Sequence, residues 1–159
     1  MASKQENVKE VFIWVTNLLQ HLKIPYHVTG GLAAIAYGSK RPLYDIDIDI
    51  GEADFDKLAQ EVRQYLIFGP GNFKDAKWDL MLMTIRYKDV DINISGTNTG
   101  KIFDEKQNSW IPYESDLKNT EQIELLGSVQ PVISKDILIK YKTILGRPTD
   151  LEDIKAITS

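Results

Sequence analysis

Cysteine is absent from this chain, which excludes disulfides and thiolate metal sites. Histidine is scarce: His21 and His27 are the two present, and a histidine metal centre needs further partners that the sequence does not offer. Both are read as packing or surface residues. No run approaches the roughly 18 apolar residues of a membrane span, and the N-terminus lacks the charged-then-apolar pattern of a secretory signal. A soluble, cytoplasmic chain with no membrane partner is expected. Positive charge is not in excess either; the net charge of −4 argues against an extended nucleic-acid surface. Internal repeats and low-complexity tracts are missing too. What remains is a chain of 159 residues, 43% hydrophobic, long enough to bury one sizeable core. A single domain over residues 1–159 is the expectation.

The stretch from His27 to Ile50 organises the rest. Asp45, Asp47 and Asp49 alternate with Ile46, Ile48 and Ile50, and in an extended strand that pattern puts carboxylates on one face and isoleucines on the other. Carboxylates in a row repel one another unless a cation sits among them. Hard oxygen ligands at this spacing suit Mg²⁺ or Mn²⁺, which take their remaining positions from water and phosphate oxygens. A solvated edge strand that resists aggregation by charge is the competing reading. The flanking chain favours the metal, because it supplies the parts that a phosphate needs.

Gly30 and Gly31 fall between an expected strand, Tyr26–Thr29, and helix formers from Leu32 to Tyr37 that end at Gly38. Glycines at a strand-to-helix turn allow close backbone approach, and the helix start presents free N–H groups, which together make an anion site. The spacing of a Walker loop is not there. Arg41, four residues before Asp45, adds a guanidinium whose fork suits phosphate.

Gly30-Gly31, Tyr37-Gly38, Arg41 and Asp45-Ile46-Asp47 together resemble the signature of the nucleotidyltransferases with the DNA-polymerase-β-like fold. The likeness is to the small lincosamide and aminoglycoside nucleotidyltransferases in particular, and to the abortive-infection-type members. The segment from Lys142 through Gly146-Arg147-Pro148-Thr149-Asp150 to Ile154 is similar to the C-terminal segment of the same group. The resemblance implies an α/β (α+β) fold, a mixed β-sheet with flanking helices. It implies Asp45 and Asp47 as a metal-binding pair, and Asp91, on a neighbouring strand, as a third carboxylate that shares the metal or acts as general base. Gly31 stands where the Gly-Ser version of the motif has serine; that removes one phosphate-contacting hydroxyl and leaves more to backbone N–H groups. Lys142 stays open between reaching the nucleotide phosphates and lying solvated. Arg147, Asp150 and Asp153 are expected to form an ion-pair and capping cluster.

Along the rest of the chain, Ser3 and Glu6 suggest a capping box for a first helix whose core face carries Val8, Val11, Phe12, Val15, Leu18, Leu19 and Leu22. Asp54 is placed as the cap of a helix through Leu66. Gly69 to Asn72, continuing through Phe73 to Asp79, is read as a loop able to approach a substrate, with Trp78 beside it either packed or stacked on a ring. Leu80 to Tyr87 and Val90 to Ile94 form a hairpin about Lys88-Asp89, with Asp91 and Asn93 on one face. Residues 95–119 are read as irregular. A second hairpin spans Ile123 to Ile133, Ser134 caps a helix ended by Gly146, and Thr149 with Glu152 caps the last one.

The resemblance implies Mg-dependent transfer of an NMP, AMP first of all, from an NTP, with ATP as the expected co-substrate, to a hydroxyl of a small molecule such as an antibiotic. Two alternatives stand beside it: a toxin-like transferase acting on tRNA or protein, and a catalytically inactive regulatory or antitoxin module. The charge balance makes nucleic acid the weaker partner. The acceptor, the base, the role of Asp49 and the choice between monomer and homodimer are left open.

Overall fold

The computed structural model describes residues 4–113 and 115–159. Helix α1 (Lys4–His21) buries Val8, Val11, Phe12, Val15 and Leu19; the cap expected from Ser3 lies outside the described residues. Then follow β1 (Tyr26–Thr29), α2 (Gly30–Ala36), β2 (Asp45–Ile50), α3 (Phe55–Glu61), β3 (Leu66–Lys74), β4 (Trp78–Tyr87) and β5 (Val90–Gly96). The chain continues through β6 (Lys101–Asp104), β7 (Ser109–Pro112), β8 (Thr120–Leu125), β9 (Ser128–Ile133), α4 (Lys135–Leu145) and α5 (Pro148–Thr158).

The strands form one mixed sheet in the order β7-β6-β4-β5-β2-β1-β9-β8, with β3 paired to β4. β2 runs parallel to β5 and β1 parallel to β9, while the other pairs are antiparallel. The β2–β5 register sets Ile46 opposite Ile92 and Ile48 opposite Ile94, and β4 adds Met83 and Ile85 to the same face. All six are fully buried, and each such side chain contributes about 1.5–3 kcal/mol by leaving water. Strand alternation then fixes the opposite face: Asp45 opposite Asp91, Asp47 opposite Asn93, Asp49 opposite Ser95. A slip of one residue would carry every acid into the core, so the isoleucines dictate where the carboxylates go.

Several local expectations change. The segment read as a substrate loop is strand β3, in which a break in register between Phe68 and Gly71 accommodates Gly69 and Pro70; a proline is tolerated at such a bulge because no ladder donor is required there. Residues 95–119 contain the β6–β7 hairpin, whose Ile102 is buried in the hydrophobic core. Asp54 precedes α3 without a side-chain cap. Helix α5 starts two residues early at Pro148, so its cap joins Asp150 to the Arg147 N–H at 3.2 Å, and not Thr149 to Glu152. Ser134 does cap α4, and Gly146 ends it at φ +60°. No helix among the described residues is long and apolar enough to cross a membrane.

Candidate active site

β2 is the centre of the site. Asp45 and Asp47 project from its polar face into a cavity of about 430 Å³. Neither forms an ion pair among the described residues. Burial raises both carboxyls, and the charge of Asp45 adds to burial in pushing Asp47 up to about 7. Among the described residues the Asp47 carboxylate has one hydrogen-bond partner, and a weak one: Asn93 Nδ2 donates to Oδ1 at 3.3 Å. Gly30 and Gly31, in the first turn of α2, form the adjoining wall. A Cβ on Gly31 would stand 2.7 Å from Arg41 Nη2 and 2.7 Å from Leu43 Cδ1, so any side chain there would push the ends of Arg41 and Leu43 aside. The Gly30 N–H is engaged, donating to Tyr141 Oη at 2.7 Å, which leaves the expected anion site with fewer free donors than the sequence suggests.

The cations come from α4, the α4–α5 connection and the segment between α2 and β2. Lys142 is buried, neither solvated nor free, with Nζ 3.2 Å from Asp150 and 3.0 Å from Asp153. Arg41 holds Asp153 through a two-pronged fork at 2.7 and 2.8 Å, and Arg147 holds Asp150 at 2.6 and 3.2 Å. Burial alone would raise these two aspartates, but the arginine hydrogen bonds and Lys142 outweigh it and keep both below the usual carboxylate range. The expected ion-pair cluster of Arg147, Asp150 and Asp153 is present, and it also enlists Arg41 and Lys142. Three cations share two carboxylates, so one wall of the cavity carries surplus positive charge beside Asp47.

Asp91 is placed differently. It sits across from Asp45 in register, yet its carboxylate is held by Arg86 at 2.7 and 3.2 Å. It opens on a neighbouring depression of about 540 Å³, which it shares with Arg86 and Asp89, and Asp45 borders both spaces. Among the described residues, no three His, Cys, Asp or Glu side chains converge closely enough to hold a metal ion. The Asp45–Asp47 pair still fits a hard divalent cation, as two unpaired carboxylates whose repulsion a cation would relieve.

On the other side of β2, the polar face continues into an apolar shelf of Phe73, Leu80 and Leu82 with Trp78. Trp78 packs edge-on to Tyr113, with centroids 5.3 Å apart. Asp49, the third aspartate of the strand, is fully buried against His27 and takes no part in lining the cavity; Asp49 Oδ1 and His27 Nδ1 find no hydrogen-bond partner among the described residues. Sequence reasoning missed Tyr113, Tyr141 and Asn93. Asn93 carried a signal, since it alternates with Ile92 and Ile94 beside Asp91, whereas nothing in the sequence marks a tyrosine hydroxyl as part of a site.

No family model and no curated protein sequence matches this chain. Solved structures do. The lincosamide antibiotic adenylyltransferase LnuA, in its lincomycin-bound form, superposes with a TM-score of 0.63 at 18% identity, over 93% of this chain and 94% of that one. ANT(2″)-Ia in complex with adenylyl-2″-tobramycin gives 0.62 at 14% identity, over 94% and 86%. A Thermotoga maritima protein assigned provisionally as a nucleotidyltransferase gives 0.68 at 19% identity, over 93% and 92%. At these identities the likeness is one of architecture, and it agrees with the mixed sheet and flanking helices described above: the chain has the nucleotidyltransferase fold.

Proposed function

We propose that this protein is a metal-dependent nucleotidyltransferase that moves an NMP, AMP first of all, from an NTP to a hydroxyl of a small molecule. The observation that carries the reading is the Asp45–Asp47 pair: two carboxylates without an ion-pair partner, facing a cavity whose adjoining wall is cationic. A protein gains nothing from that repulsion by itself, whereas a divalent cation bridging to phosphates relieves it.

Asp45 and Asp47 would hold Mg²⁺ or Mn²⁺, which supplies charge neutralisation and polarisation of the phosphoryl oxygens. Arg41, Lys142 and Arg147 line the same cavity as the glycine turn and would stabilise the charge of the departing pyrophosphate. Displacement at phosphorus proceeds in line, so the attacking hydroxyl enters opposite the leaving group. In the sheet, β1 and β9, which lead into the glycine turn and α4, lie on one side of β2, and β5, β4 and β3 lie on the other. The acceptor therefore rests on the apolar shelf of Phe73, Trp78, Leu80 and Leu82. That surface suits a hydroxylated molecule with an apolar flank better than a polycation, since no carboxylate projects from those four positions. Asp91 would take the hydroxyl proton or share the metal once Arg86 releases it; the pair is solvent-exposed, and water screens such pairs so that they are readily exchanged.

The test is transfer of label from ATP marked at the α-phosphorus, with Mg²⁺, to lincomycin, tobramycin or tRNA. Label in a small molecule with release of pyrophosphate, lost in Asp47→Asn, supports the reading. Label in tRNA alone would replace the small-molecule acceptor with a nucleic acid.

A further inference from the structure

Asp49 belongs to the acidic row of β2 but serves a different partner set. Its Oδ2 collects Tyr113 Oη at 2.8 Å, Ser115 Oγ at 2.7 Å and His27 Nε2 at 2.8 Å. From Tyr113 the contacts continue: its Oη lies 3.3 Å from Thr29 Oγ1, Thr29 Oγ1 lies 2.9 Å from Tyr141 Oη, and Tyr141 Oη accepts the Gly30 N–H at 2.7 Å. Burial raises both phenols above their ordinary range, so each keeps a proton to donate.

The ends of this series fix its direction. A carboxylate only accepts and a backbone N–H only donates. Tyr113 therefore donates to Asp49, and Tyr141, having accepted from Gly30, directs its own proton to Thr29, whose hydroxyl turns to Tyr113. Every hydroxyl accepts once and donates once along the path. Hydrogen bonds aligned in this way polarise one another, and a buried anion at the accepting end strengthens the alignment.

We infer that Asp49, Tyr113, Thr29 and Tyr141 form one polarised hydrogen-bond chain that anchors the Gly30 N–H and so sets the glycine turn against Asp47. Asp49 and the two tyrosines are positioning residues, and Asp49 is not a metal ligand. The chain joins β2, the segment after β7, β1 and α4, none of which is adjacent to all the others in sequence. Its importance follows from the tightness at its far end: a Cβ on Gly30 would lie 2.9 Å from Asp47 Cβ, so a small drift of the turn moves the carboxylate that the proposed function needs.

Two readouts test this. The first is the amide ¹H–¹⁵N shift of Gly30 in the nucleotide-free protein. Asp49→Asn is expected to move it although Asp49 does not touch Gly30, and the same substitution in a Tyr113→Phe background is expected to have no further effect. A Gly30 amide indifferent to Asp49→Asn, or an effect that survives Tyr113→Phe, would overturn the chain; if Asp49→Asn does not fold, Tyr113→Phe alone is read at the same amide with the same two outcomes. The second readout, which rests on the donor-site reading, is Mg·ATP affinity. Asp49→Asn and Tyr141→Phe are each expected to lower it about fivefold, the loss of one hydrogen bond, with the double variant no worse than either. Independent, multiplying losses would contradict the inference. Wild-type protein that binds no Mg·ATP would overturn the donor site and leave the Gly30 amide to decide the chain.

Discussion

The Cβ that Gly30 lacks would lie 2.9 Å from both Cβ and Cγ of Asp47, and closer still to its Oδ2. Gly30 also has φ +66°, a conformation that costs an L side chain roughly 1–2 kcal/mol. Two independent constraints thus require glycine at this one position, one from the backbone and one from the carboxylate beside it.

Gly30→Ala is therefore expected to displace Asp47 as well as strain the turn. A loss of about 1–2 kcal/mol in urea unfolding, together with a larger proportional loss of metal-dependent nucleotide affinity, is the predicted pair of results. Unchanged affinity would mean that the turn and Asp47 are not mechanically linked.

Asp153 holds Arg41 and Lys142 together in a buried cluster. Neutralising Asp153 leaves Arg41 without its carboxylate and Lys142 with Asp150 alone, and breaking a buried ion pair costs about 3–5 kcal/mol. Asp153→Asn should lower stability on that scale in denaturant unfolding, whereas Glu152→Gln, at the exposed neighbouring position, should stay within about 0.5 kcal/mol. Equal effects would show that the cluster contributes little.

Asp47 gives the metal-free protein a pH signature. Burial and the charge of Asp45 place its carboxyl at about 7, against about 3.9 in an unfolded chain. Between those values the folded state holds a proton that the unfolded state has released, so stability falls as pH rises from about 4 to about 7 and then levels. Asp47→Asn should remove that slope. Mg²⁺ competes with the same proton, so its stabilising effect should be larger at about pH 8 than at about pH 5. A melting temperature independent of Asp47 across this range would contradict the assignment.

Much of this was legible before the structure because alternation is a strong constraint. Asp45 to Ile50 can lie only one way once the isoleucines are buried, and Val90 to Ile94 repeats the pattern, which puts Asp91 on the polar face of its strand; the pairing of β2 with β5 and its register come from the structure. Gly69-Pro70-Gly71 was not legible as strand, since turn residues usually mark loops and only the break in pairing with β4 admits them. Lys142 was undecided because a lysine's burial depends on Asp150 and Asp153 reaching it from the next helix. The alternation of Val90 to Ile94 puts Asp91 on the polar face, but its fork with Arg86 lies across a hairpin, and the sequence alone does not show which neighbour a surface carboxylate takes. The tyrosine hydroxyls around Thr29 are beyond sequence reading altogether, as Tyr141 and Tyr113 are brought to Thr29 from positions more than 80 residues away.

On the proposed reading, Asp45 and Asp47 hold a cation for a nucleoside triphosphate. Calorimetric titration of ATP, GTP, CTP and UTP, with and without Mg²⁺, into the wild type and into Asp45→Asn/Asp47→Asn tests it most directly. Mg²⁺-dependent binding of at least one nucleotide by the wild type is expected, and its loss in a double variant that remains folded. Folded wild-type protein that binds none of the four with Mg²⁺ present, or a double variant that binds as tightly as the wild type, would contradict it.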